Sequence, residues 1–281
     1  MSTRLKLYYL LWKIWIELAF TLSKRFGSQQ AFRLFTTPVR KDAWIKPEEF
    51  QSAETINLFV SNKKLVGYVW NRQAQHKILI LHGFESRAYK FHMYIAPLLE
   101  KGYGIVAMDA AAHGDSQGTT ILIYEYAKMI EELEQRFGVF YGCIAHSFAG
   151  IALCWHREQH VHPENKIVLI APGTETSTAI DLFCSRLGLG EIEKKALINY
   201  IEQRGGHSIE YYSITRTVRK ISNKIFWIHD EDDKITPLAD AQPIISSPPN
   251  NVEMLITKGL GHNKIYRDKH TVEAVISFLD R

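Results

Sequence analysis

Ser147 ends an apolar run beginning near Val139 that reads as a buried strand, and a helix pattern continues after it. A serine on such a strand–turn–helix corner points its hydroxyl out beside the free N–H groups of the helix start, which can stabilise an oxyanion. The tight backbone admits only small residues two places before and two places after the serine, and Ala145 and Ala149 satisfy this. A serine hydroxyl is a weak nucleophile: it needs a base, and the base needs a third group to fix its tautomer. Two later loops carry those residue types, Asp230-Glu231-Asp232-Asp233-Lys234-Ile235-Thr236-Pro237 and Gly259-Leu260-Gly261-His262-Asn263. Each follows a strand-like run, so serine, acid and histidine occur in that order, each after a strand's carboxyl end.

The elements that must position these loops follow from periodicity. Thr55 to Val60 and Leu65 to Trp70 read as a hairpin around Ser61-Asn62-Lys63-Lys64. Lys77 to Leu81 is a continuous apolar run suited to a strand buried on both faces, and it ends in His82-Gly83-Phe84. The pattern then alternates: a helix over about 87–100, a strand over 104–109, a helix over about 122–137, the strand before Ser147, a helix over 151–159 and a strand over 166–171. After an interruption it resumes with a strand over 224–229, Thr236-Pro237 as a helix N-cap and first position, a strand over 252–256 and a helix over 268–279. Such alternation predicts an α/β protein with a mostly parallel sheet and helices on both faces. Between about Gly173 and Asn223 apolar residues recur at helical spacing, broken by Gly188, Gly190, Gly205 and Gly206. Two or three short helices are expected there, inserted at the sheet edge where open α/β sheets bind ligands.

Over roughly residues 54–281 the chain resembles the α/β-hydrolase family. His82-Gly83-Phe84 is similar to the family's oxyanion loop, Ala145 to Ala149 to its nucleophile elbow, Asp233 ahead of Ile235-Thr236-Pro237 to its acid, and Gly261-His262 to its base loop. Asp109 to Gly118 is similar to the loop before the family's second major helix, with Ala110-Ala111-Ala112 in place of the common Pro-Gly. The resemblance implies an α/β-hydrolase fold with Ser147 as nucleophile, His262 as general base and then acid, Asp233 as the orienting acid, and the backbone N–H groups of Phe84 and Phe148 as the oxyanion hole. Asp232 is the competitor for Asp233. His82 and His146 are expected to be structural, His113 and Asp115 loop residues, and His229 a neighbour of the site. The expected activity is a serine hydrolase, carboxylesterase or lipase-like, acting on an ester with an apolar acyl group. Thioester, amide or carbon–carbon hydrolysis, acyl transfer to an alcohol, and a non-catalytic ligand-binding member are the alternatives. The insertion, residues 173–222 of a domain spanning 53–281, is expected to form a small helical lid. It offers Leu182, Phe183, Leu187 and Tyr200 either to a substrate pocket or to its own core.

Charge narrows the partners. The net +4 divides into +5 over residues 1–50 and −1 over the remainder, so the main domain is near neutral and nucleic acid is not an expected partner. Cys143, Cys154 and Cys184 have no metal-type spacing and read as small core residues in a reducing, cytoplasmic setting. No phosphate-binding glycine loop or metal-ligand cluster occurs, so neither cofactor nor metal is expected. In the N-terminal helical segment, residues 1–52, almost every residue from Leu5 to Leu22 is apolar. Lys6, Lys13, Glu17, Thr21 and Lys24 fall on one narrow helical stripe. A bilayer span is disfavoured because Lys13 and Glu17 would each cost about 2.5–3.5 kcal/mol near its centre. The readings that stand for residues 5–25 are a helix packed on its own domain or on a second subunit, and a helix lying on a membrane surface. Residues 25–52 read as a connector, since Pro38 and Pro47 discourage a long helix.

Overall fold

Eight strands make up the sheet: β1 (Glu54–Val60), β2 (Lys63–Trp70), β3 (Lys77–Leu81), β4 (Gly104–Met108), β5 (Gly142–His146), β6 (Lys166–Ile170), β7 (Lys224–Asp230) and β8 (Val252–Thr257). In the computed structural model, which describes residues 3–39 and 45–281, they lie side by side in the order β1-β2-β4-β3-β5-β6-β7-β8. The hairpin partners β1 and β2 run antiparallel, as do β2 and β4, and all other neighbours are parallel. Burial follows the sequence pattern. Ile56, Leu58 and Val60 of the edge strand β1 are buried while Asn57 and Phe59 face outward, and β4, β5 and β6 are buried along their whole length. The β1–β2 turn is only Ser61-Asn62, with φ of 48° and 60° at the two residues, the left-handed pair of a two-residue hairpin turn.

The chain divides into two compact units. The main one, Pro38–Thr174 with Ile214–Arg281, carries the sheet. The other joins the described residues up to Thr37 to Glu175–Ser213 and contains α1 (Thr3–Leu22) and α2 (Lys24–Phe35). The main unit's helices are α3 (Ile95–Glu100), α4 (Ile123–Phe137) and α5 (Phe148–Gln159) before the insertion. The insertion supplies the second unit with α6 (Thr176–Leu187) and α7 (Glu191–Gly205). The main unit then resumes with α8 (Ile214–Thr217), α9 (Gln242–Ser246), α10 (Gly261–Lys264) and α11 (Lys269–Asp280). The core of the main unit runs through Phe91, Ile144, Val168, Phe226 and Leu279, all buried. The helical unit has its own core of Ile16, Ala31, Leu34, Ile180, Cys184, Leu187, Leu197 and Ile209. The N-terminal helices and the inserted helices thus bury one apolar centre together, although more than a hundred residues separate them in sequence.

Several local expectations are corrected. Residues 24–35 are a helix, not connector: Ser23 caps it by accepting the N–H of Phe26 at 3.0 Å, and both prolines lie beyond its end. The remainder of that expected connector between residues 40 and 44 lies outside the described residues. The strand before Ser147 begins at Gly142, not near Val139, which is exposed. The expected helix over 87–100 is a 3₁₀ stretch, Ala88–Tyr94, followed by α3, with Phe91 at φ −100° and ψ 17° breaking the path. Thr236 is no helix cap, because its hydroxyl is turned to Asp233 and a 3₁₀ turn starts only after Pro237.

The loop from Asp109 to Gly118 is held by a carboxylate. Asp109, fully buried, accepts the N–H groups of Ala88 at 2.8 Å and Asp115 at 2.9 Å, while Arg87 lies 3.7 Å away. Gly114 closes the loop at φ 51°, and a Cβ there would stand 1.9 Å from Asp109 Oδ2. Gly114→Ala is therefore expected to lose about 2–4 kcal/mol through overpacking and left-handed strain. A thermal melt should show this as a fall in Tm of roughly 5–15 °C, and an unchanged melt would refute the account of the loop.

Candidate active site

Ser147 follows β5 directly and starts α5 from a backbone conformation of φ 55° and ψ −124°. A non-glycine residue at such angles costs on the order of 1–3 kcal/mol and survives only where its neighbours over-determine it. Here the Ser147 N–H donates to the carbonyl of Ile170 at 3.1 Å, and the Ser147 carbonyl accepts from Gly150 N at 2.9 Å and Gly173 N at 3.0 Å. Three hydrogen bonds therefore hold the corner, and the buried Ala145 and Ala149 leave it room. Gly83, beyond the end of β3, runs so close that a Cβ on it would meet Ser147 Cβ at 2.7 Å.

From this corner an unbroken chain of hydrogen bonds crosses three loops. Ser147 Oγ lies 3.0 Å from His262 Nε2, and His262 Nδ1 lies 2.8 Å from Asp233 Oδ2. Nδ1–H donated to the carboxylate leaves the Nε2 lone pair facing the serine hydroxyl, the tautomer a general base requires. Asp233 is buried, and burial alone would raise its pKa. The hydrogen bond from His262 and the N–H groups of Thr236 and Ile235, at 2.9 and 2.8 Å, outweigh that and keep it below the ordinary carboxylate range. The Thr236 hydroxyl also donates to Asp233 Oδ2 at 2.9 Å, and its oxygen stands 3.1 Å from His262 Nδ1. Asp232 is exposed, and its carboxylate accepts the N–H of Gly259 at 3.0 Å. The acid that meets the histidine is therefore Asp233.

Four further histidines hold the surrounding loops, each as a neutral ring. His82 donates Nδ1–H to the carbonyl of Gly83 at 2.7 Å and accepts the N–H of Ala110 at Nε2 at 2.9 Å. His113 ties the carbonyl of Ala111 to the N–H of Glu85 in the same way, at 2.8 and 3.0 Å. His229 accepts from Trp227 Nε1 and donates to the carbonyl of Thr236, and His146 donates Nε2–H to the carbonyl of His262 at 3.1 Å. His82, His113 and His229 each donate at one nitrogen and accept at the other, which an imidazole does only when neutral, whereas His146 makes the one donation. Burial enforces this state: it lowers His82 to about 4 and His113 to about 3, and drives His146 and His229 down as well. His113, expected to be a plain loop residue, thus belongs to the set that holds Phe84 and Glu85 in place.

Asp230 is the residue the sequence pattern did not single out. Its Oδ1 accepts Asp232 N at 3.0 Å, and its Oδ2 accepts the Thr257 hydroxyl at 2.7 Å and Leu260 N at 3.0 Å. It joins the acid loop to the base loop. Its place at the last position of β7, directly before the acid loop, was the available signal. Phe84 and Phe148 lie ring to ring at 6.4 Å, Tyr126 packs on Phe148 at 5.9 Å, and neither Phe84 N–H nor Phe148 N–H donates within the described residues. Of the expected pocket residues, Phe183 rests on Phe35 and Leu187 is buried in the helical unit's core, Tyr200 is half-buried against Phe32, and Leu182 is exposed. Cys143, Cys154 and Cys184 are free and buried, and burial raises the Cys143 and Cys154 thiols to about 11 and about 12. Among the described residues no group of three or more His, Cys, Asp or Glu could hold a metal ion.

A family model described as the alpha/beta hydrolase fold matches residues 77–184, the stretch from β3 to α6 that includes Ser147. No curated protein matches the sequence. Solved structures do. An esterase from Pyrococcus furiosus, PF2001, is 19% identical with a TM-score of 0.64, covering 88% of this chain and 97% of its own. A membrane phospholipase A, described as a bacterial virulence factor, is 16% identical with a TM-score of 0.62 over 83% of this chain and 88% of its own. The serine hydrolase CCSP0084 from Cycloclasticus zankles is 18% identical with a TM-score of 0.60 over 82% and 98%. At these identities the likeness establishes the fold.

The neutral histidines make stability depend on pH with a definite sign. Their pKa values are lowered on folding, so the unfolded chain binds more protons between its own histidine pKa near 6.5 and the folded values near 4 and 3. Their contribution is complete above about pH 6.5 and is lost as pH falls through that window. Melting scans from pH 7.5 to pH 4 should show Tm falling steadily below about 6.5, with net proton uptake on unfolding. A Tm constant over that range would contradict the neutral-ring assignment.

Proposed function

We propose that this α/β-hydrolase-fold protein is a serine hydrolase that cleaves a carboxylic ester through an acyl-serine intermediate. The observation that carries the reading is the continuous hydrogen-bonded chain Asp233–His262–Ser147, with the serine on a strained corner at the carboxyl edge of the sheet. As Ser147 Oγ attacks the ester carbonyl carbon, His262 Nε2 takes its proton, and Asp233 stabilises the imidazolium without itself being protonated. The carbonyl oxygen, now carrying the charge, is received by the N–H groups of Phe84 and Phe148. A donor of this kind is worth about 10²–10³ in rate. Collapse expels the alcohol, which takes the proton from His262. Water then loses a proton to His262 as it attacks the acyl carbon, and the second collapse frees the acid and restores Ser147.

The rings of Phe84, Phe148 and Tyr126 support an apolar acyl group, because they form an aromatic group beside the serine with no charged side chain among them. Thioesters fit the same steps, since the leaving thiolate accepts the His262 proton as an alkoxide does.

A fluorophosphonate probe should label Ser147, and p-nitrophenyl esters of rising chain length should be hydrolysed with kcat/KM increasing beyond acetate. Ser147→Ala should lose both labelling and turnover while melting as the parent does. An S147A protein that still turns over esters near the parental rate would remove the assignment. Asp233→Asn should lower kcat by on the order of 10⁴, the scale for a triad whose histidine is left in the wrong tautomer. Asp232→Asn should stay within a few-fold of the parent, and the reverse ranking would transfer the role.

A further inference from the structure

Helix α1 has two apolar faces, and only one of them is covered. Tyr8, Tyr9, Trp12, Ile16 and Phe20 pack into the core of the helical unit. On the other side Leu7, Leu10, Leu11, Ile14, Leu18 and Leu22, with Trp15 beside them, are between 44% and 74% exposed. At 3.6 residues per turn these positions share one arc of about 140° and form a stripe ~22 Å long. Exposed apolar residues on monomers ordinarily stand singly, and a continuous stripe marks an interaction surface.

Charge identifies the occupant. From Thr3 to Thr37 the chain carries Arg4, Lys6, Lys13, Lys24, Arg25 and Arg33 against a single acid, Glu17, a net of +5. That acid is already paired, 3.7 Å from Lys13, whereas Lys6, Lys24, Arg25 and Arg33 are exposed. A second copy docking through the same face would form a two-fold contact, setting one +5 segment against another, with the single acid of each, Glu17, already beside its own Lys13. A surface of anionic phospholipid headgroups over an apolar interior complements both features. Spanning is excluded for α1: no helix among the described residues is long and apolar enough to cross a membrane, and the inner face of α1 belongs to a protein core. We propose that α1 docks the protein on an anionic phospholipid surface, lying in the interfacial plane with its outer apolar stripe immersed and the flanking lysines and arginines at headgroup level.

The inference is independent of the chemistry at Ser147, and its test reads binding alone. The full chain is sedimented with vesicles of ether-linked phosphatidylcholine, with and without ether-linked phosphatidylglycerol; such lipids carry no acyl ester to cleave. Binding is expected with the mixed vesicles, weakening as salt rises, and several-fold weaker with phosphatidylcholine alone. Leu11→Glu with Leu18→Glu should reduce it at least tenfold while circular dichroism and Tm stay as in the parent, since both side chains are exposed. Lys24→Gln with Arg25→Gln should weaken binding to the mixed vesicles and flatten its salt dependence. Deleting α1 would be a poor test, because Ile16 and its neighbours would leave the helical core open. Absence of sedimentation, equal binding to both lipids, or binding untouched by the Leu11 and Leu18 substitutions would overturn the proposal. A dimer in analytical ultracentrifugation that those substitutions dissociate, without vesicle binding, would assign the face to a second copy instead.

Discussion

The site depends on a backbone conformation that Ser147 would not adopt by itself. With φ at 55° the residue is held by its neighbours, through its N–H on Ile170 and its carbonyl between Gly150 and Gly173. Those partners lie on β6, in the first turn of α5 and just after β6, so the corner exists only because β5 and β6 are paired in register. The same geometry turns the hydroxyl toward His262 and leaves the Phe148 N–H without an internal acceptor. The strain and the orientation of the hydroxyl thus share one cause, a strand and a helix joined through the single residue Ser147.

Around that corner the loops are secured by buried polar side chains. His82 and His113 each link backbone atoms of different segments through a neutral ring, His229 and His146 each donate to a loop carbonyl, and Asp230 and Asp109 gather backbone N–H groups through their carboxyl oxygens. None of these six touches the hydroxyl of Ser147. Their function is to keep Gly83, Thr236 and Gly261 where the serine, acid and base loops converge, and a short polar side chain with both a donor and an acceptor does this in less space than further backbone pairing would need. Of the ring nitrogens of these four histidines, His146 Nδ1 is buried without a partner among the described residues, against Gly83. We have no physical account of it.

The helical unit follows a different logic. Its core is shared between the first 37 residues and an insertion far along the chain, and the two halves interlock through Phe35 on Phe183 and Phe32 on Tyr200. Residues that could have lined a substrate pocket are committed to this core. The outer face of α1 is the reverse case, an apolar surface with no internal partner, beside an excess of positive charge that distinguishes it from an unfilled core.

The sequence by itself determined the sheet and the order of the chemistry along it. Continuous apolar runs at β3 through β7 read as strands buried on both faces, and serine, acid and histidine follow β5, β7 and the half-buried β8. Parallel strands deliver all three to the same edge. Local pattern also sufficed for the hairpin and for α4, and the place of Asp233 before Ile235-Thr236-Pro237 marked it over Asp232 as the carboxylate that meets His262. It failed where a neighbour distant in sequence decides. The division into two units, the use of Phe183 and Leu187 as core, and the bare face of α1 were decided by tertiary packing. An apolar helix residue has the same periodicity whether it meets a substrate, a neighbouring helix or solvent, and only the assembled chain fixes which of these it meets.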